Sequence, residues 1–296
     1  MKGEELSKGG LPEKMADMTN ISNSTGGFII IQPTGGLCNR MRAVTAGLSL
    51  AHITNKRLSL IWREDSHLNC SYNKLFKSHP EILLNHKEPI YVKSSIQHNK
   101  VKHILAKLIN KISQYDIVLL DVENLNGCLI SLGNIIEARK IYINTCHEFF
   151  DFNNNYKIFS PIEEISNKIS EVSDSFDDAT IGVHIRRGDN RTSFLNSPLS
   201  LFITTMKNMI ESNGKTKYFL TTDSPIVETE LKKYFGIKRV ITHKKVFTTR
   251  TEVGVQDSVV DLFCLARTRT IVGSYGSSFT ETAAKLGGAE LIILKN

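Results

Sequence analysis

No two cysteines in this chain stand in a Cys-x-x-Cys spacing, and the five that occur, at positions 38, 70, 128, 146 and 264, are scattered and odd in number. That excludes a disulfide framework and a cysteine-rich zinc cluster as organising features. His67 with Cys70 is at most half a ligand set. No apolar run approaches the ~20 residues that cross a bilayer. Residues 1–26 are polar, lack the apolar centre of a signal peptide and read as a disordered leader. No run of Lys and Arg reaches five, and the basic residues are spread along the chain, which argues against a nucleic-acid partner. No Gly-Lys-Ser/Thr phosphate loop and no dinucleotide fingerprint follows the first strand. The expectation is a cytoplasmic protein with free thiols and no transmembrane segment, in which the sequons at Asn20, Asn23, Asn69 and Asn190 go unused.

What is present is enough for a two-domain enzyme. The 296 residues are 41% hydrophobic, ample for two cores of ordinary size, and the net charge of +7 suits an anionic ligand. Short β-rich runs alternate with helical ones. Strands are expected at 28–31, 57–62, 117–120, 141–144, 180–186, 217–221, 239–242, 270–274 and 290–294. Helices are expected at 39–52, 100–112 and 161–173, among others. Such alternation predicts an α/β fold with parallel sheets. Residues 66–100 read as irregular. The polar stretch Asp151–Tyr156 and Pro161 suggest a boundary, giving an N-terminal domain over 27–160 and a C-terminal domain over 161–296.

Three segments carry chemistry. In Ile181-Gly-Val-His-Ile-Arg-Arg-Gly-Asp189, apolar and polar residues alternate at strand period, so Ile181, Val183 and Ile185 face away from Gly182 and His184. Two arginines then crowd the strand's carboxyl end, where open α/β sheets bind ligands. Arginine forks grip phosphate oxygens in pairs. The alternative is a surface ion pair of Arg187 with Asp189 and a hydrogen-bonded core histidine. In Phe28–Arg42 a strand runs into Gly35-Gly36 and then a helix. Plain turn chemistry explains the glycines about as well as a ligand does, and Arg40 and Arg42 tip the reading toward an anion. In Thr270–Thr282 a strand runs into Ser274-Tyr-Gly-Ser-Ser278, again before a helix. That is an anion-friendly turn or simply a helix cap completed by Glu281.

Gly35-Gly-Leu-Cys-Asn-Arg40, His184-Ile-Arg-Arg-Gly-Asp189, Tyr218-Phe-Leu-Thr-Thr-Asp223, Asp261 and Ser274-Tyr-Gly-Ser-Ser-Phe279 occur in the order seen in one enzyme group. The chain resembles, over roughly residues 28–288, the GDP-fucose-dependent fucosyltransferases: the α-1,2, α-1,6 and protein O-types and the rhizobial nodulation type. The resemblance implies a GT-B architecture, two Rossmann-like domains facing a cleft, with donor mainly on the C-terminal one. It implies an inverting transfer of fucose to a carbohydrate, glycolipid or glycoprotein hydroxyl, with no cofactor and no metal. By position, Arg186 would hold the β-phosphate, with Arg187 beside it, and Asp189 would belong to the catalytic motif. His184 and Asp261 would meet the guanosine. Ser277, Ser278 and Phe279 would close on phosphate. Gly36, Asn39 and Arg40 would line the opposite wall. The chain also lacks an Asp-x-Asp metal motif, which agrees with the implied metal independence.

One departure stands out. Some α-1,6 members carry a catalytic glutamate five residues after the motif aspartate, and here that position is Phe194. The base is thereby unassigned. Glu64 and Asp65, after the second strand, are candidates from the N-terminal side, with a solvated loop pair as the plain alternative. Donors other than GDP-fucose, and a binding module that has lost its base, remain open at this point.

Overall fold

A computed structural model of the chain describes residues 26–85, 115–125, 130–152, 155–188, 190–247 and 250–296. The leader up to residue 25, the helix expected over Lys100–Ile112, Cys128 and the motif's Asp189 lie outside the described residues.

The elements run β1 (Phe28–Pro33), α1 (Leu37–Ile53), β2 (Arg57–Leu60), β3 (Ile82–Leu84), β4 (Ile117–Leu120), α2 (Leu132–Glu137) and β5 (Lys140–Thr145). The second half runs α3 (Glu163–Ser173), β6 (Thr180–Ile185), α4 (Arg191–Asn196), α5 (Leu199–Ser212), β7 (Lys217–Thr222), α6 (Pro225–Phe235), β8 (Val240–Ile241), α7 (Glu252–Leu265), β9 (Thr270–Ser274), α8 (Ser278–Gly287) and β10 (Glu290–Leu294). Two five-stranded sheets result, ordered β3-β2-β1-β5-β4 and β10-β9-β6-β7-β8. Every pairing within them is parallel. The α/β class with parallel sheets therefore holds.

The central strands show why. Ile29, Ile30 and Ile31 are all buried, as a strand covered on both faces requires. Val183 and Ile185 pack on one side of the second sheet with Phe202, Met206 and Leu220. Gly182 and His184 face the other side, so the alternation read from the sequence is real. A Cβ on Gly182 would stand 2.5 Å from Thr268 Oγ1. Helix α1 is buried along nearly its whole length because it packs on β1 and β2 and also against α8. One continuous core cluster thus joins Ile31, Met41 and Phe159 to Phe219, Val259 and Ala283.

One strand corrects the expectation from sequence. Ile82–Leu84 pairs in parallel with β2 at the sheet edge, inside the stretch read as irregular. At three residues it is too short to display a period.

In each sheet the strand order reverses, between β1 and β5 and between β6 and β9. Ligands of open α/β sheets bind outside the carboxyl ends of strands at such reversals. The Gly35-Gly36 turn follows β1, Arg186 follows β6, and the serine turn follows β9.

Candidate functional site

A pocket of about 630 Å³ opens at these strand ends and draws its walls from both sheets. Of the residues singled out in the sequence, Gly36, Asn39, His184, Arg186, Asp261, Ser277, Ser278 and Phe279 all line it. Residues from the two ends of the chain are thus brought within one small volume by two topological reversals.

The loop after β6 is organised by an acid to which the sequence motifs assign no role. Asp223, at the end of the neighbouring β7, accepts from the amides of Arg187 at 2.7 Å and Gly188 at 2.9 Å. Its other partner is the Arg186 guanidinium, at 2.8 Å. A Cβ on Gly188 would sit 2.7 Å from Asp223 Oδ2, so this grip needs glycine. The register Ile185↔Thr222 is the signal that could have found Asp223, since it puts position 223 beside 186. Ser274 Oγ accepts from the Arg186 amide at 3.0 Å. Asn190 and Ser193 donate to the carbonyls of Gly276 and Tyr275, binding this loop to the serine turn.

His184 is buried, its Nδ1 2.7 Å from Thr280 Oγ1 and its ring centroid 4.7 Å from that of Phe279. Burial, with Arg186 nearby, pushes its pKa down to about 3, so it is neutral at working pH. The residue is thus a hydrogen-bonded core histidine that also forms part of the pocket wall. Ser277 is the N-cap residue of α8, but its side chain makes no cap hydrogen bond, so the helix-cap alternative for this turn is not realised through Ser277. The first turn of α8 and the start of α1 both line the pocket, and helix N-termini favour an anion.

Asp261 lies on α7 among buried neighbours. Its Oδ2 pairs with Lys245, not with Arg267 or Arg269, which hold Ser173 and Asp178 instead. Asp257, one turn earlier, accepts from the Val246 amide at 2.9 Å. These two acids pin the loop after β8, which sequence reasoning did not implicate. The pocket also takes Arg42, His67, Lys245 and Arg250.

Four expected site residues stand elsewhere. Arg40 does not line the pocket. It is fully buried, donates to Gly35 O at 2.8 Å and to Arg63 O, and pairs with Asp65 at 2.8 Å. Burial lowers its pKa and Asp65 pulls it back. Arg187 turns away, donating to Arg186 O and Ser197 O at 2.8 Å each. Asp65 is spent on Arg40 and on the amides of His67 and Leu68, and Glu64 is exposed outside the lining. Phe194, at the position of the missing glutamate, is exposed and carries Arg187 over its ring.

Arg40→Ala should therefore act on stability. Losing a buried cation with three partners should cost roughly 3 kcal/mol, or about 6–10 °C in Tm. A thermal melt within about 2 °C of wild type would overturn this structural role.

Among the described residues one group could hold a metal ion, Asp121, Cys146 and His147, whose ligand atoms lie within 4.8 Å of one another. None of the three lines the pocket.

No protein-family model matches the chain, and a search of curated proteins found no match. Solved structures do match. A NodZ alpha-1,6-fucosyltransferase soaked with GDP-fucose superposes with TM-score 0.58 at 16% identity, covering 88% of this chain and 93% of that one. NodZ from Bradyrhizobium gives the same values. A single-residue mutant of Arabidopsis thaliana FUT1 in complex with GDP gives 0.57 at 12% identity over 95% of this chain and 74% of its own. POFUT1 in complex with GDP gives 0.54 at 11% identity over 90% and 98%. This chain thus shares the fold of these solved fucosyltransferase structures.

Proposed function

We propose that the protein is an inverting glycosyltransferase that moves fucose from GDP-fucose to a hydroxyl of a carbohydrate, glycolipid or glycoprotein acceptor. The carrying observation is the convergence of Arg186, His184, Asp261 and the Ser277 turn on one pocket, in a fold shared with enzymes bound to GDP or GDP-fucose. We read the sheets as GT-B halves, 27–160 on the acceptor side and 161–296 on the donor side.

The chemistry follows from charge. As the acceptor oxygen bonds to the anomeric carbon, the bond to GDP breaks and the diphosphate gains negative charge. Arg186 and the amides around Ser277 meet that charge more strongly at the transition state than in the ground state, which is what accelerates a reaction. Ordering of the donor between α8 and the α7 acids would fix the sugar for attack. A site for the protein in the cytoplasm, free of nucleic acid, suits this reading.

The test is a thermal-shift screen of nucleotide sugars followed by transfer assays with the best donor. GDP-fucose at about 100 times its dissociation constant should add ~2.7 kcal/mol of stability. A larger shift with a UDP-sugar would replace the donor in this proposal.

Transfer should also survive excess EDTA. Arginine and amides supply the positive charge, and the pocket acids Asp223, Asp257 and Asp261 are each held by protein donors. Loss of activity that Mg²⁺ or Mn²⁺ restores would overturn that account.

A further inference from the structure

An attacking hydroxyl loses its proton as its new bond forms, so the group that takes the proton must lie across the sugar from the departing diphosphate. Three acids on the donor side already hold protein amides or cations. Asp223 holds Arg186 and two amides, Asp257 holds the Val246 amide, and Asp261 holds Lys245. Glu281 stands in the first turn of α8, the helix start to which the proposed function assigns the diphosphate. His184 is buried beneath Phe279.

On the opposite wall, among the described pocket residues contributed by the first sheet and its loops, three side chains carry an ionisable group: Cys38, Arg42 and His67. The buried Cys38 thiol is pushed up to about 12. Arg42 has only donors to offer, and its Nε donates to Cys146 O at 2.8 Å. His67 is exposed to the pocket, and histidine is the side chain suited to exchanging protons near neutral pH.

We infer that His67 is the acceptor-side general base, presented by a turn that Arg40 and Asp65 hold in place. The inference rests on the fucosyl-transfer reading above. The acceptor O–H proton passes to an imidazole nitrogen of His67 as the oxygen bonds to the anomeric carbon. The bonding pair of the C1–O bond leaves with GDP, and the imidazolium returns its proton to solvent.

The turn is built for placement. Asp65 Oδ1 accepts from the amides of His67 at 2.8 Å and Leu68 at 3.1 Å, and Asp65 and Leu68 pair as an antiparallel bridge. Leu68 is buried and anchors the turn. Asp65 Oδ2 is gripped by Arg40, whose Nε reaches back to Gly35 O at the glycine turn. On the far side, the Asn69 amide donates to Arg250 O at 3.3 Å, in the segment just before α7. The backbone of residues 65–69 is therefore tied to both pocket walls, while the imidazole is free to meet an acceptor. Arg40 and Asp65 are positioning residues for it, which explains why neither lines the pocket.

The test uses the full chain with GDP-fucose as donor and water as acceptor, following GDP release. His67→Ala should bind GDP within twofold of wild type by calorimetry and melt normally, yet hydrolyse GDP-fucose roughly 100-fold more slowly. Azide is an anion with no proton to lose, so fucosyl azide should form at comparable rates in variant and wild type. Added imidazole should restore part of the hydrolysis. Hydrolysis within threefold of wild type, or an azide rate that falls as far as the water rate, would sink the assignment while leaving the transferase reading intact. A wild-type protein that neither binds GDP nor releases it from GDP-fucose would overturn both.

Discussion

Arg186→Ala is expected to lower fucosyl transfer by roughly 30- to 1000-fold while leaving the fold intact. The residue stands at the mouth of β6, its amide held by Ser274 and its guanidinium by Asp223, 2.8 Å away. That carboxylate fixes the direction of the fork before any ligand arrives, so little ordering remains to be done when a diphosphate binds. Removing a charge-assisted bidentate grip on the transition state costs ~2–4 kcal/mol, which converts to the stated range. Arg186→Lys should fail similarly, because one ammonium cannot span two phosphate oxygens. The loop itself should survive, since Asp223 keeps the amides of Arg187 and Gly188. The checks are kcat/KM with GDP-fucose and a thermal melt on the same preparation. A variant that keeps a third of the wild-type rate would remove Arg186 from the chemistry.

The two arginine pairs show how far the sequence could be read. Strands and parallel sheets were legible because central strands of such sheets are covered on both faces, and β1 reads as a continuous apolar run while β6 and β9 keep a buried apolar set. The pocket was legible where turns follow those strands. The direction of each arginine was not. Arg40 and Arg42 are two residues apart on one helix, about 200° around its axis, so one must face inward when the other faces the pocket. Nothing local says which, because α1 is buried on both sides, and that depends on its packing against α8. Arg186 and Arg187 diverge for a similar reason at the end of a strand, where successive side chains point oppositely. Asp223 and Lys245 went unassigned because their roles arise only from pairing: β7 beside β6, and a loop after a two-residue strand folded onto α7. Asp65 was noticed for its charge, while its partners, Arg40 and the amides of His67 and Leu68, appear only in the fold. A carboxylate's partner, not its presence, decides whether it can act as a base.

Donor identity gives the second large effect, and it turns on Asp261. The acid is buried in the pocket wall with Lys245 on Oδ2, while Oδ1 has no hydrogen-bond partner among the described residues and lies 3.6 Å from His243 Nδ1. A buried carboxylate oxygen left without a donor is costly unless a ligand supplies one. Guanine can, through N1–H and its 2-amino group, whereas uracil offers no such pair. A hydrogen bond to a charged group is worth about 1.5–3 kcal/mol, so GDP should bind roughly 10- to 150-fold more tightly than UDP. In Asp261→Asn the difference should shrink to a few-fold, since a neutral amide can turn its NH₂ toward the base as readily as its oxygen. The substitution also leaves Lys245 without its counter-charge, and some stability will be lost. That loss weakens both nucleotides alike, so the ratio of their affinities, measured by calorimetry on one preparation, isolates base recognition from folding. Equal binding of GDP and UDP by the wild-type protein would leave Asp261 as a purely structural partner of Lys245. It would also take guanine, and with it the fucose donor, out of the account of this pocket.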